Sequence, residues 1–127
     1  HILGICLGMQ LLTKNSEEGI LPGLDLIDAK TIKLPQVKNI KVPHMGWNTA
    51  MPINKNSLLK NFKSELKFYF VHSYYVSFKN KKNISMLSNH GIEFASAFEQ
   101  ENIFGVQFHP EKSHKFGMKL LESFCKL

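Results

Sequence analysis

One cysteine, one histidine and one glutamate carry the chemistry open to this sequence. Cys6 stands in the run Ile2-Leu3-Gly4-Ile5-Cys6-Leu7-Gly8-Met9-Gln10-Leu11-Leu12, and far along the chain comes Gly105-Val106-Gln107-Phe108-His109-Pro110-Glu111-Lys112-Ser113. A thiol, an imidazole and a carboxylate form the set needed for nucleophilic acyl transfer. Sulfur attacks a carbonyl carbon, the imidazole takes and returns the proton, and the carboxylate two positions on fixes the imidazole tautomer. Taken alone, a cysteine among Ile, Leu and Gly is a common buried hydrophobe, and a histidine before proline a common loop residue. Their combination favours chemistry, because each ends an apolar stretch read as a strand, and open α/β sheets gather their sites at the carboxyl ends of strands.

Positioning these groups requires particular elements. The first run has the form of a nucleophile elbow, in which a strand breaks at a cysteine in a strained turn and resumes as a helix. The flanking Gly4 and Gly8 are expected to let neighbouring backbone pass where a Cβ would clash, and the start of the helix is expected to favour the thiolate. The helix is read over Met9 to Asn15, with Leu11 and Leu12 facing the sheet and Ser16-Glu17-Glu18-Gly19 at its end. Leu24 to Leu34 alternates as short antiparallel strands, Ile40 to Pro43 as a strand running into a loop from His44 to Asn48, and Asn56 to Phe62 as a helical turn. Lys67 to Ser77 is a strong strand former that crosses the sheet and continues past it. Ile84–Leu87 and Glu93–Phe98 read as a strand pair, Ile103–Phe108 as the strand delivering His109, and Phe116–Leu127 as a helix covering one sheet face.

The Gly4-Ile5-Cys6-Leu7-Gly8-Met9-Gln10 and Phe108-His109-Pro110-Glu111 runs resemble the two signatures of class I glutamine amidotransferases. Ser16-Glu17-Glu18-Gly19, Val42-Pro43-His44-Met45-Gly46-Trp47-Asn48 and Phe70-Val71-His72-Ser73-Tyr74-Tyr75 resemble, more narrowly, the glutaminase subunit of imidazole glycerol phosphate synthases. The resemblance spans the chain and implies an α/β fold, a flavodoxin-like doubly wound sheet with additional antiparallel strands. His1 precedes the elbow strand directly, so the chain is expected to be the carboxyl-terminal portion (1–127) of the amidotransferase domain, without the amino-terminal βαβ units and the second oxyanion donor.

The resemblance also implies roles. Cys6 attacks the glutamine carboxamide, His109 moves the proton and Glu111 orients His109. The Leu7 N–H stabilises the oxyanion. Gln10 and Glu18 hold the substrate's polar ends, with Glu18 suited to the α-ammonium, and Ser73 and Tyr74 meet the α-carboxylate. His44, Met45, Trp47, Asn48 and Lys112 are expected at the surface facing a cyclase partner. That partner, a (β/α)8 barrel, would complete a heterodimer and receive the ammonia. Two readings of Trp47 stay open, a docking anchor or a lid over local core. No cofactor or metal is expected, since His72, His90 and His114 lack ligand spacing.

Composition narrows the alternatives. The 127 residues are 43% hydrophobic, sufficient for one domain and one core. The +6 formal charge comes from sixteen lysines with no arginine, which argues against nucleic-acid recognition. No apolar stretch approaches the roughly 18 to 20 residues of a membrane span. Cys6 and Cys125 make no disulfide framework, and a cytoplasmic setting is expected. Three rivals remain: a paralogous amidotransferase subunit serving surface-polysaccharide or flagellin sugar synthesis, suggested by Ser113 to Met118; an inactive partner-binding module; and a γ-glutamyl hydrolase, which would not need Trp47 or Lys112.

Overall fold

Alternation along residues 66–72 sets the centre of the fold. Leu66, Phe68, Phe70 and His72 turn inward while Lys67 is exposed, the period-2 pattern of a strand with one face on a core. The computed structural model describes residues 1–54, 57–60, 62 and 65–127. Eight strands and two α-helices follow in chain order: β1 (Ile2–Ile5), α1 (Leu7–Leu11), β2 (Ala29–Lys33), β3 (His44–Pro52), β4 (Leu66–His72), β5 (Tyr74–Phe78), β6 (Ile84–Asn89), β7 (Glu93–Gln100), β8 (Ile103–Val106) and α2 (His114–Cys125). Six strands form a mixed sheet in the order β1-β8-β7-β6-β3-β4, and β2 pairs with β5 in a separate ribbon. Among the strand pairs of the described residues, β1 and β8 run parallel, Ile5 opposite Val106, and the rest antiparallel. The architecture is thus α/β with a curled mixed sheet, and antiparallel pairing dominates the expected doubly wound plan within these residues.

The curl brings the far edge back to the start. Beyond β8, His109 bridges Tyr69 of β4, so the sheet's edge strand touches the segment leaving its second strand. Aromatic packing fills the interior: Phe68 stacks on Phe108 at 3.8 Å and Phe70 meets Phe108 edge-on at 5.7 Å. Leu120 of α2 is fully buried in the same cluster.

Several sequence expectations change. Residues 24–28 form no strand, because the N–H groups of Leu24, Asp25 and Leu26 bond the carbonyls of Leu11, Thr13 and Leu12 and so close the end of α1. That helix stops at Leu11, short of Asn15, and Leu11 is half-exposed while Met9 and Leu12 face the core. Ile40–Pro43 is not a strand; the strand begins at His44, so the expected loop His44–Asn48 is the paired half of β3, with His44 opposite His72 and Trp47 opposite Tyr69. The Lys67–Ser77 run does extend past the sheet, breaking at Ser73 so that β5 joins β2. Of the expected turn at Asn56–Phe62, a 3-10 turn covers Ser57–Leu59, and Asn56 and Asn61 lie outside the described residues.

Candidate active site

Cys6 leaves β1 with its N–H donated to Val106 O at 2.8 Å, and its backbone then turns to φ 51°, ψ −107°. That conformation costs a non-glycine residue about 1–3 kcal/mol; the strand bond before it and α1 after it hold it there. Gly4 makes the turn possible. A Cβ at Gly4 would stand 2.7 Å from Gly8 O and Met9 N, so α1 could not fold back over β1. Gly8 has open space where its Cβ would lie, and the close approach expected at both glycines occurs at Gly4 alone.

The neighbouring strand delivers His109. Its N–H donates to Tyr69 O at 2.9 Å. The Ser113 hydroxyl donates to His109 O at 2.6 Å and accepts the Tyr69 N–H at 2.9 Å, replacing the second ladder bond of this bridge. Pro110 opens a 3-10 turn, Pro110–Lys112, that returns Glu111 to the imidazole, with Nδ1 and Oε1 2.5 Å apart. A carboxylate accepts, so Nδ1 carries the proton and Nε2 is left as the base. Two residues beyond Tyr69 on β4, the Val71 carbonyl accepts the Cys6 thiol at 3.7 Å. Carbonyls at i and i+2 point the same way about 7 Å apart, so one strand edge holds both the thiol and the histidine backbone. Among the described residues the thiol's side-chain partner is Gln107 Nε2 at 3.6 Å, with no direct bond to His109.

Burial pushes the Cys6 thiol above its ordinary pKa; the Leu7 N–H and the Gln107 amide pull it down, and the charges of Glu111 and Glu18 push it up again. The Leu7 N–H at the helix start favours the thiolate, as expected, but desolvation outweighs it. With only five residues α1 contributes a weak dipole. The resting sulfur holds its proton.

The remaining expected residues separate clearly. Leu7 N–H lies at the sulfur. Gln10 is buried beneath the elbow, its Nε2 donating to Tyr74 O at 3.0 Å and to Gln107 Oε1 at 3.1 Å. Glu18 is exposed, with its N–H bonded to Ser16 Oγ, and its charge reaches Cys6. Ser73 marks the break between β4 and β5, where its carbonyl takes the Leu34 N–H. Tyr74 is half-buried and meets Gln10 through its backbone carbonyl. Among the interface candidates, Met45 and Trp47 are exposed at 62% and 48%. Trp47 stacks on His114 at 5.6 Å and meets the Tyr69 ring, over which Lys112 Nζ lies at 6.0 Å. Asn48 is half-buried and donates to Asn89 O. His44 does not belong with them: its ring is 4% exposed, stacked on Phe70 and bonded through Nδ1 to His72 Nε2 at 2.9 Å.

Sequence reasoning passed over Gln107, Ser113 and the His44–His72 pair. Gln107 and Ser113 lie inside the histidine run, yet Gln107 is bonded to Cys6 and to Gln10 of α1, and Ser113 to Tyr69 of β4. Burial, then the neighbouring imidazoles, lowers His44 to a pKa of about 3; burial first lowers His72 to about 4, against a donation to Tyr74 O that raises it. Both are neutral rings. Among the described residues no group of three or more His, Cys, Asp or Glu is placed to hold a metal ion.

The fold is a curled α/β sheet that holds a strained cysteine elbow and a histidine–glutamate pair along one edge of β4. The family described as glutamine amidotransferase class-I matches residues 1–127. The chain belongs to the class I glutamine amidotransferases. It is 58% identical over 125 residues, 98% of its length, to imidazole glycerol phosphate synthase subunit HisH 2 of Methanococcus maripaludis, and 45% identical over 126 residues to the HisH 2 subunit of Pseudomonas aeruginosa. It spans 62% of the length of each. Among solved structures, a Thermoplasma acidophilum protein assigned to GMP synthase superposes with a TM-score of 0.72, covering 98% of this chain and 55% of that one. A glutamine amidotransferase from Thermotoga maritima superposes at 0.64, covering 98% and 46%. At 20% identity each, these two show the shared fold.

Proposed function

We propose that this chain carries the glutaminase chemistry of an amidotransferase of the imidazole glycerol phosphate synthase type. The carrying observation is the edge of β4, where Tyr69 O holds His109 and Val71 O holds the Cys6 thiol. Cys6 Sγ attacks the side-chain carbonyl carbon of glutamine as its proton passes to His109 Nε2. The resulting imidazolium is stabilised by Glu111, and the oxyanion takes the Leu7 N–H. His109 returns the proton to the leaving nitrogen, ammonia departs and a γ-glutamyl thioester remains on Cys6. A water deprotonated by His109 then cleaves the thioester, releasing glutamate and restoring the thiol. The resting sulfur must give up its proton for attack, and His109 Nε2 is the group that takes it.

Gln10 Oε1, Glu18, Ser73 and Tyr74 bind the amino-acid end of glutamine, with the Glu18 carboxylate on the α-ammonium. Ammonia passes to a (β/α)8-barrel synthase subunit docked over Met45, Trp47, Asn48 and Lys112. The names of the relatives, imidazole glycerol phosphate synthase subunits, support this acceptor. In the protein at its full coding length, Cys6→Ala should abolish glutamine-dependent synthesis and leave ammonia-dependent synthesis by the partner intact. Glutamine hydrolysis persisting at a comparable rate would remove the triad assignment.

A further inference from the structure

Gln107 lies two residues before His109, is completely buried and has no part in the reaction above. Both ends of its amide are nonetheless engaged, Oε1 by Gln10 Nε2 at 3.1 Å and Nε2 by Cys6 Sγ at 3.6 Å. Its orientation is forced from outside. The Tyr74 carbonyl can only accept, and it takes Gln10 Nε2 at 3.0 Å and His72 Nδ1 at 2.8 Å. Gln10 must therefore keep its nitrogen inward, and the second hydrogen of that nitrogen meets Gln107. Were the Gln107 amide reversed, two N–H groups would oppose each other and a carbonyl oxygen would face the sulfur. The His72 tautomer is fixed in turn, because His44 Nδ1 donates to His72 Nε2 at 2.9 Å and Asn48 Nδ2 donates to His44 Nε2 at 3.2 Å.

The sulfur's bonds to Val71 and Gln107 differ in what happens to them on ionisation. The thiol donates to Val71 O, and that bond is lost with the proton. The bond from Gln107 is accepted by the sulfur, and it strengthens as charge develops there. We propose that Gln107 is a positioning residue of the glutaminase reaction. It holds the nascent Cys6 thiolate and braces the Gln10 amide in the orientation that Tyr74 O sets. This rests on the glutaminase reading above and assigns to Gln107 a task that the triad leaves unfilled.

The test uses the protein at its full coding length with its synthase partner, and two variants. Gln107→Asn keeps a buried amide but draws it back by one methylene, beyond reach of the sulfur; Gln107→Met keeps the volume and removes both bonds. Iodoacetamide labelling is followed against pH at the peptide containing Cys6, and melting temperature identifies folded variants. The pH of half-maximal labelling should rise by about one unit in each folded variant. Glutamine-dependent kcat should fall about tenfold, KM should rise further in Gln107→Met than in Gln107→Asn, and ammonia-dependent synthesis should be unchanged. A labelling midpoint in Gln107→Asn equal to that of the parent overturns the proposal, whether or not Gln107→Met folds. A parent protein that releases no ammonia from glutamine overturns the glutaminase reading instead, and the labelling profile, which needs no turnover, still decides whether Gln107 holds the sulfur.

Discussion

Ser113 carries two bonds that a reading confined to the histidine, proline and glutamate leaves out. Its buried hydroxyl joins His109 O to the Tyr69 N–H, so the base is fixed to β4 through a side chain as well as through its own backbone. Removing the hydroxyl in Ser113→Ala leaves the Tyr69 N–H unpaired, while His109 O keeps the Lys112 N–H, at a cost of about 1–3 kcal/mol. The expected result is a lower melting temperature together with a kcat for glutamine that falls more than KM changes, measured by calorimetry and steady-state ammonia release. Equal kcat in the variant would separate Ser113 from the positioning of His109. The sequence made Cys6, His109 and Glu111 readable because each is flagged by its immediate neighbours: glycine before the elbow, proline after the histidine, and a fixed offset to the carboxylate. Gln107 and Ser113 were hidden for the opposite reason. Each has a partner far off in sequence, 101 and 44 residues away, just past β1 and on β4, and a buried amide or hydroxyl has no local signature.

At the level of elements, legibility followed the source of the backbone's hydrogen bonds. The alternating run Leu66–His72 was readable, since burying one face dictates its register. Residues 24–28 and His44–Asn48 were not. The first spend their N–H groups on the end of α1, and the second gain strand form from β4 rather than from their own composition. The β3–β4 pair also predicts a pH response. His44 and His72 have folded-state pKa values of about 3 and about 4, below the ordinary 6.5 of the unfolded chain, so they favour the native state in their neutral form. Their contribution is complete above pH 6.5 and is lost as pH falls toward 4 and 3, where the unfolded chain binds the protons. A proton on His72 Nε2 would also face the His44 Nδ1–H. His44→Phe, which keeps an aromatic ring against Phe70, should lose less melting temperature between neutral pH and pH 4.5 than the parent does. An equal loss would exclude this pair as the source. Helix α2 offers a second element-scale test. A Cβ at Gly117 would fall 1.7 Å from Pro110 O, so Gly117→Ala must displace the turn that carries Glu111. The expectation is destabilisation with loss of glutamine hydrolysis, detected as a lower urea midpoint and reduced ammonia release.

Across the whole molecule, the curl of the sheet sets the candidate docking surface beside the site. Trp47 and Tyr69 are register partners on β3 and β4, and the Tyr69 carbonyl holds His109 while its ring lies under Lys112. The residue after Glu111 therefore shares a patch with Trp47, Met45 and His114, although the sequence separates them widely. Trp47 is covered on one face by His114 and at its edge by Tyr69, and 48% of the residue is exposed. If a synthase subunit docks here, Trp47→Ala removes a central aromatic anchor and should weaken association by about 2 kcal/mol or more, over tenfold in Kd. Lys112→Ala removes an exposed charge over a ring and should act less on affinity, by about 0.5–1 kcal/mol. Because neither side chain bonds Cys6, His109 or Glu111, basal glutamine hydrolysis should persist in both variants, while the partner's stimulation of it and the share of ammonia captured in product both fall. The structural alternative has a different signature: Trp47→Ala would lower the melting temperature and basal hydrolysis together, with partner affinity unaltered. Titrating each variant with the partner while following melting temperature, ammonia release and product formation separates these outcomes, and affinity unchanged in both would remove this face from the docking surface.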